Sequence, residues 1–246
     1  MKKKVKLTLI LLILIFKVAL AQEPIDNHYY NGILTDSGSF LNGQKNGIWK
    51  RFYPNHQVLL VVNYVNGKKD GEYKEFYKTG VLFKQGNYVN DTLKGPAKVY
   101  HQNGSPFKSG NILNGRYVGE TRAYHENGQL SSVGSYVNGK EQGEWQFFYD
   151  NGQLFYKINF SNGKMIGQLV INYKSGSPHY KENYVYGKCE GNSIEYYESG
   201  KIKAIRRLVG GKKQGKSEFY SEKGKIISTE IYNNDKRISV ETVTDE

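Results

Sequence analysis

The feature that most limits how this chain can fold is a glycine that returns every 24 residues. It stands at Gly47, Gly71, Gly95, Gly119, Gly143, Gly167, Gly191 and Gly215, with no insertion or deletion between them. Strict self-similarity at such a period marks a repeat array, whose units pack on their neighbours rather than around one global core. A second glycine follows nine residues after the first in every unit but one, where His56 takes its place. A third follows at twenty, with Asp91 and Asp235 in two of its slots. Aromatic columns keep the same phase. Five residues after the lead glycine come Phe52, Phe76, Tyr100, Tyr124, Phe148, Tyr196 and Tyr220, with Asn172 as the departure. One residue further come Tyr53, Tyr77, His101, His125, Tyr149, Tyr173 and Tyr197, with Ser221 as the departure.

Each unit reads as two short strands. The first, as in Glu144-Trp145-Gln146-Phe147-Phe148-Tyr149, is aromatic; the second, as in Leu154 to Phe160, alternates β-branched and aromatic residues. Nine Asn-Gly pairs, among them Asn66-Gly67, Asn151-Gly152 and Asn162-Gly163, lie between strand runs. Asn-Gly favours the type I′ turn of a two-residue hairpin, because both central positions need positive φ. No segment after residue 21 carries a helical period. The expected fold is therefore all-β: tandem 24-residue β-hairpin repeats in an elongated antiparallel meander of some sixteen to eighteen strands. A degenerate first unit holds Tyr29, Gly32, Leu34, Phe40 and Gly43.

Residues 1–21 differ from the rest. Lys2, Lys3, Lys4 and Lys6 precede an apolar run from Leu7 to Phe16, and Ala19-Leu20-Ala21 forms a small-residue cleavage signal. This is the pattern of a secretory signal peptide. The run is shorter than a spanning helix needs, and no cysteine follows the cleavage site to accept a lipid. The reading is a signal peptide at 1–21, about nine repeats at 22–238 and an acidic tail at 239–246. The product is expected to be exported, to the periplasm or the cell exterior. A mean hydropathy of −0.65 excludes a polytopic membrane protein. Cys189 is the only cysteine, so no intrachain disulfide can staple the fold. It lies between Gly187 and Gly191 and is expected at an exposed, reactive turn.

Enzyme chemistry needs a constellation, and the sequence offers none: no catalytic, cofactor-binding or metal-binding residues are assigned. Of the five histidines only His101 and His125 share a column, and equivalent positions two strands apart lie ~10 Å from each other, too far to share a zinc. Two columns are candidates for binding. One residue after the third glycine slot come Lys68, Arg116, Lys140, Lys164, Lys188, Lys212 and Lys236, with Gln44 and Thr92 departing. They would run along one turn edge as a cationic row. Tyr53, Tyr77, Tyr149, Tyr173 and Tyr197 form an aromatic row that could take sugars or peptides. Five of the 35 basic residues lie in the first 21 positions; the other 30, against 23 acids, leave +7. That balance favours anionic partners without implying nucleic acid.

Units such as Gly143-Glu-Trp145-Gln-Phe-Phe148-Tyr149-Asp-Asn151-Gly152-Gln-Leu154 resemble bacterial MORN repeat variants. The resemblance covers about nine-tenths of the chain and implies a binding scaffold rather than an enzyme. Some proteins of this type are YwqK-like antitoxins, an activity at odds with an export signal. The expected function is an exported, non-catalytic scaffold for a protein partner or an anionic envelope polymer or lipid surface. A glycan-binding module using the aromatic rows and a toxin-neutralising protein remain the alternatives. The chain freed of residues 1–21 should give a β-dominated circular dichroism spectrum. Its radius of gyration in small-angle scattering should exceed the ~17 Å of a compact domain of this length.

Overall fold

The structure, a computed structural model, describes residues 25–243, so the signal-peptide reading lies outside the described residues. The chain divides into two compact units, Met1–Gly104 and Ser105–Glu246. Each described part consists of β-strands paired antiparallel with their neighbours in sequence, and no helix occurs among the described residues. Among the described residues the strands number 21, above the sixteen to eighteen expected. The excess comes from a strand at each end, Asp26–Tyr30 and Lys236–Thr242, and from two strands broken at Lys94 and Glu190. Residues 239–242, assigned above to a tail, instead pair with the strand Ile226–Asn233.

The Gly143 repeat shows the plan. Its first strand is Lys140–Phe148 and its second Leu154–Ser161. Asn162 and Gly163 then turn the chain with φ of 50° and 77°, the type I′ geometry expected. The other connection differs. Gly152 is left-handed at φ 83° but Asn151 is not among the positive-φ residues. Gly152 N–H donates to Tyr149 O at 2.9 Å, and Tyr149 N–H to Gln153 O at 2.8 Å. This is a three-residue loop closed by a left-handed glycine, not a type I′ turn.

The lead glycines occupy no turn at all. Gly143 lies inside a strand at φ 71°, where Ser135 faces Gln142 but Val133 faces Gln146. The ladder slips there, a bulge that needs a left-handed residue. A methyl group on Gly143 would meet nothing within 4 Å, so the position demands the dihedral and not the space. Gly134 demands the opposite. Its φ is ordinary, but a Cβ would come within 2.1 Å of the Trp145 ring. Gly38 under Trp49 and Gly86 under Tyr73 repeat the arrangement.

Most buried residues in each unit form a row along one face of its strands, at two positions per repeat. Trp49, Val62 and Tyr73 are buried in the first unit; Trp145, Ile158 and Leu169 are buried in the second. The Trp145 indole N–H donates to Ser135 O at 3.2 Å, and Trp49 makes the same bond to Ser39 O at 3.0 Å. Later repeats continue the row with polar groups. Ser193 donates to Glu182 at 2.7 Å; Arg206 donates to Glu195 at 2.7 Å and Lys203 to the other Glu195 oxygen at 2.8 Å. Burial alone would raise the Glu195 carboxyl, but the bonds from Lys203 and Arg206 prevail and hold it below the ordinary range. Burial first, then Glu182, pushes the Tyr184 hydroxyl up to about 12.

Cys189 corrects the expectation of an exposed turn thiol. The type I′ connection uses only two residues, so Cys189 is already paired with Tyr184 and is buried. Burial pushes its thiol up, and Glu182 and Glu190 push it further. Two outcomes follow from this packing. In the folded chain Cys189 should label with maleimide far more slowly than a free thiol at pH 7, and at the free-thiol rate in denaturant. Trp145→Ala should cost ~3–5 kcal/mol in a denaturant melt. Gly134→Val should also destabilise, by steric conflict with the ring, while Gly152→Val should cost ~1–3 kcal/mol, chiefly for its φ, with the Gln129 side-chain oxygen, 2.8 Å from a Cβ there, moving aside.

Candidate binding surface

Both edges of the array are fastened from repeat to repeat. On the loop edge, the Tyr53 hydroxyl donates to Phe76 O, Tyr77 to Tyr100 O, Tyr149 to Asn172 O, Tyr173 to Tyr196 O and Tyr197 to Tyr220 O, all at 2.7–2.8 Å. His125 Nε2 reaches Phe148 O at 2.9 Å in the same role. Each bond spans 23 residues, from one loop to the end of the next repeat's first strand. The five tyrosines considered for ligand binding are thus half-buried, with their hydroxyls committed to the sheet.

On the turn edge, Gly163 N–H donates to Glu141 O at 2.9 Å, Gly187 to Met165 O at 2.8 Å and Gly211 to Cys189 O at 2.9 Å. A side-chain oxygen one position later accepts a second amide: Gln142 from Asn162, Glu190 from Gly210 and Gln214 from Asn234. Where aspartate replaces the third glycine it adds a bond. Asp91 accepts from Lys69 N–H at 2.8 Å, and Asp235 accepts from Lys213 N–H at 2.7 Å.

The basic column lies on this edge. Lys68 in the first unit is exposed, as are Arg116, Lys140, Lys164, Lys188, Lys212 and Lys236 in the second. None of the seven makes an ion pair among the described residues. In the second unit the row is contiguous from Arg116 to Lys188, where each stem leaves the backbone beside the next turn's glycine. A methyl on Gly163 would lie 3.8 Å from Lys140 Cβ, and one on Gly187 would lie 3.9 Å from Lys164 Cβ.

A second row escaped sequence reasoning. Register places Leu113 opposite Arg116, Val137 opposite Lys140, Val185 opposite Lys188 and Val209 opposite Lys212. Directly opposed residues share a face with Cβ atoms ~5 Å apart. These aliphatic side chains are 45–55% exposed, unusual for residues in a regular column. Val65 repeats the pairing with Lys68 in the first unit. The signal was present, since the residue three positions before each basic one must face it across a two-residue turn; it is aliphatic in five cases, and Ser161 opposite Lys164 and Asn233 opposite Lys236 interrupt the row. Its exposure was not readable from alternation alone. The edge is therefore a double strip, cationic beside aliphatic. Among the described residues no group of His, Cys, Asp and Glu could hold a metal ion, and no helix is long and apolar enough to cross a membrane.

No curated protein sequence matches the chain. Among solved structures it is similar to a TcdB2-TccC3 complex, at 14% identity and a TM-score of 0.20, over 85% of this chain and 15% of that one. The Tc holotoxin pore of Photorhabdus luminescens gives 14%, 0.20, 85% and 14% for the same measures. A porin-like protein from Bacteroides uniformis gives 7% and 0.22, over 89% of this chain and 92% of that one. The chain spans about one seventh of the length of the first two, and likenesses this weak carry no argument. The family comparison is of another kind. The MORN repeat variant model matches residues 45–66, 69–90, 117–138, 141–162, 190–206 and 213–234. Six matches in phase with the hairpin repeat, together covering more than half of the sequence, place this chain in the MORN repeat variant family.

Proposed function

We propose that this chain is an exported, non-catalytic repeat scaffold whose double strip lies on an anionic lipid surface of the cell envelope. The observation that carries the reading is the pairing of exposed aliphatic and unpaired basic residues at the turn edge. A soluble polyanion would use the charges and leave the valines in water. An anionic bilayer uses both, with phosphates against the basic row and the aliphatic row at the boundary of the acyl region. A basic residue close to such a surface contributes roughly 1 kcal/mol. Six in one row are enough for firm, salt-sensitive attachment without any spanning segment. The tyrosine row, with its hydroxyls committed to the sheet, favours the sugar-binding alternative less.

Sedimentation with vesicles of phosphatidylglycerol or phosphatidylcholine tests the reading. The chain should bind the anionic vesicles, and moderate salt should weaken the binding. Replacing Arg116, Lys140, Lys164, Lys188, Lys212 and Lys236 with Gln should weaken it at least tenfold. Replacing Val137, Val185 and Val209 with Ser should weaken it less and leave the salt dependence in place. Equal binding of the wild type to both vesicle types, or none to either, rules the reading out.

A further inference from the structure

The face of the second unit opposite the Trp145 row carries a cleft of about 450 Å³. It lies over the strands Ile202–Val209 and Lys212–Tyr220, beside the bulge at Gly215. That volume falls within the ~300–1,000 Å³ of small-molecule sites.

What singles the cleft out is Arg207. Sixteen residues after the lead glycine the array otherwise carries Asn63, Asn87, Asn111, Asn159 and Asn183, with Ser135 and Ile231 as the other departures. Where the amide's bonds are seen they go to backbone carbonyls: Asn63 Nδ2 donates to Asp70 O, beside the bulge, at 2.6 Å, and Asn87 Nδ2 to Tyr88 O at 3.2 Å. Arg207 replaces the amide with a longer, charged side chain that lines the cleft, its stem beside Gly215. The other cation of the lining and the sequence neighbour of Arg207 are both engaged. Arg206 is bound to Glu195 on the other face, and Lys216 is bound to Glu218 at 2.6 Å within the cleft. Arg207 has no carboxylate partner among the described residues, so the cleft holds one balanced pair and one unbalanced positive charge.

The remaining wall has two characters. Ile205 and Val209 give it an aliphatic side. Asn192 and Gln214 give it amides, and the Gln214 oxygen is already taken by Asn234 N–H, which leaves its NH2 group to donate. A guanidinium binds a carboxylate through two parallel hydrogen bonds. A single unbalanced cation matches a monoanion, whereas a phosphate dianion would bring one charge too many. We propose that this cleft binds a monocarboxylate on a short aliphatic stem. Arg207 clamps the carboxylate, Asn192 and Gln214 bond its flank, and Ile205 and Val209 cover the stem. Such a group comes from the end of a peptide chain or from a free carboxylic acid.

The test is a side-chain NMR titration of the whole chain with butyrate, N-acetylvaline, their neutral amides and inorganic phosphate. Both carboxylates should shift the Arg207, Asn192 and Gln214 resonances saturably, while the amides leave them in place and phosphate binds more weakly. Arg207→Asn restores the residue of the other repeats. It should keep the melting temperature and raise the carboxylate Kd at least tenfold, whereas Arg207→Lys should recover only part of the loss. Tighter binding of N-acetylvaline than butyrate supports the site and assigns it to a chain end; equal binding supports it and assigns it to a free acid. The proposal falls if neither carboxylate saturates, if the amides shift the same signals, if phosphate binds more tightly, or if Arg207→Asn binds unchanged.

Discussion

Every stabilising contact between repeats has to recur at a fixed chain separation, and the hydrogen bonds at the two edges set that separation. On the loop edge, Tyr149 reaches 23 residues ahead to Asn172 O. On the turn edge, Gly163 reaches 22 residues back to Glu141 O, and Asn162 reaches 20 back to Gln142. A residue inserted into either strand would break the bonds on both sides of the insertion. It would also turn the buried row outward, because side chains alternate along a strand. The unvarying 24-residue spacing of the sequence is the signature of that double fastening.

Within this frame the row of buried residues is free to change its chemistry. Trp145 over Gly134 and Trp49 over Gly38 solve the packing with one large and one absent side chain. Glu195 with Arg206 and Lys203 solves it with a closed set of charges. The first solution draws on apolar burial, worth roughly 25 cal/mol per Å². The second trades desolvation against attraction and stabilises only while every member is present, since loss of one partner leaves a buried charge. Both are tolerated in one sheet because the edge bonds, not the row, carry the register.

The period, the strand pairs and the type I′ turn at Asn162-Gly163 were legible in the sequence, because each depends on residue type at a fixed spacing. The bulges were not. Gly143 inside a strand and Gly163 in a turn both need positive φ, and a glycine reads alike in either place. Cys189 was misplaced for a related reason: two residues past a turn reads as loop, yet a two-residue turn has returned to the ladder by then. The basic column was visible as a column, but its aliphatic companion needed register to bring Val137 against Lys140. Arg207 is the one charged departure in a column of asparagines that also admits Ser135 and Ile231, and only the cleft beside it gives that departure a meaning.

The turn-edge fastening also bears on how such a gene can change. Because Gly187 bonds only as far back as Met165, and Gly211 only as far back as Cys189, no repeat depends on any but its neighbours. Unequal recombination in steps of 24 codons therefore deletes or duplicates a whole unit and reconnects the backbone bonds of the turn edge at the junction. A step through any unit of the row from Arg116 to Lys236 also adds or removes one cation on the outer strip. The number of charges offered to a surface becomes a matter of copy number, adjustable in a lineage without a single substitution in the fold.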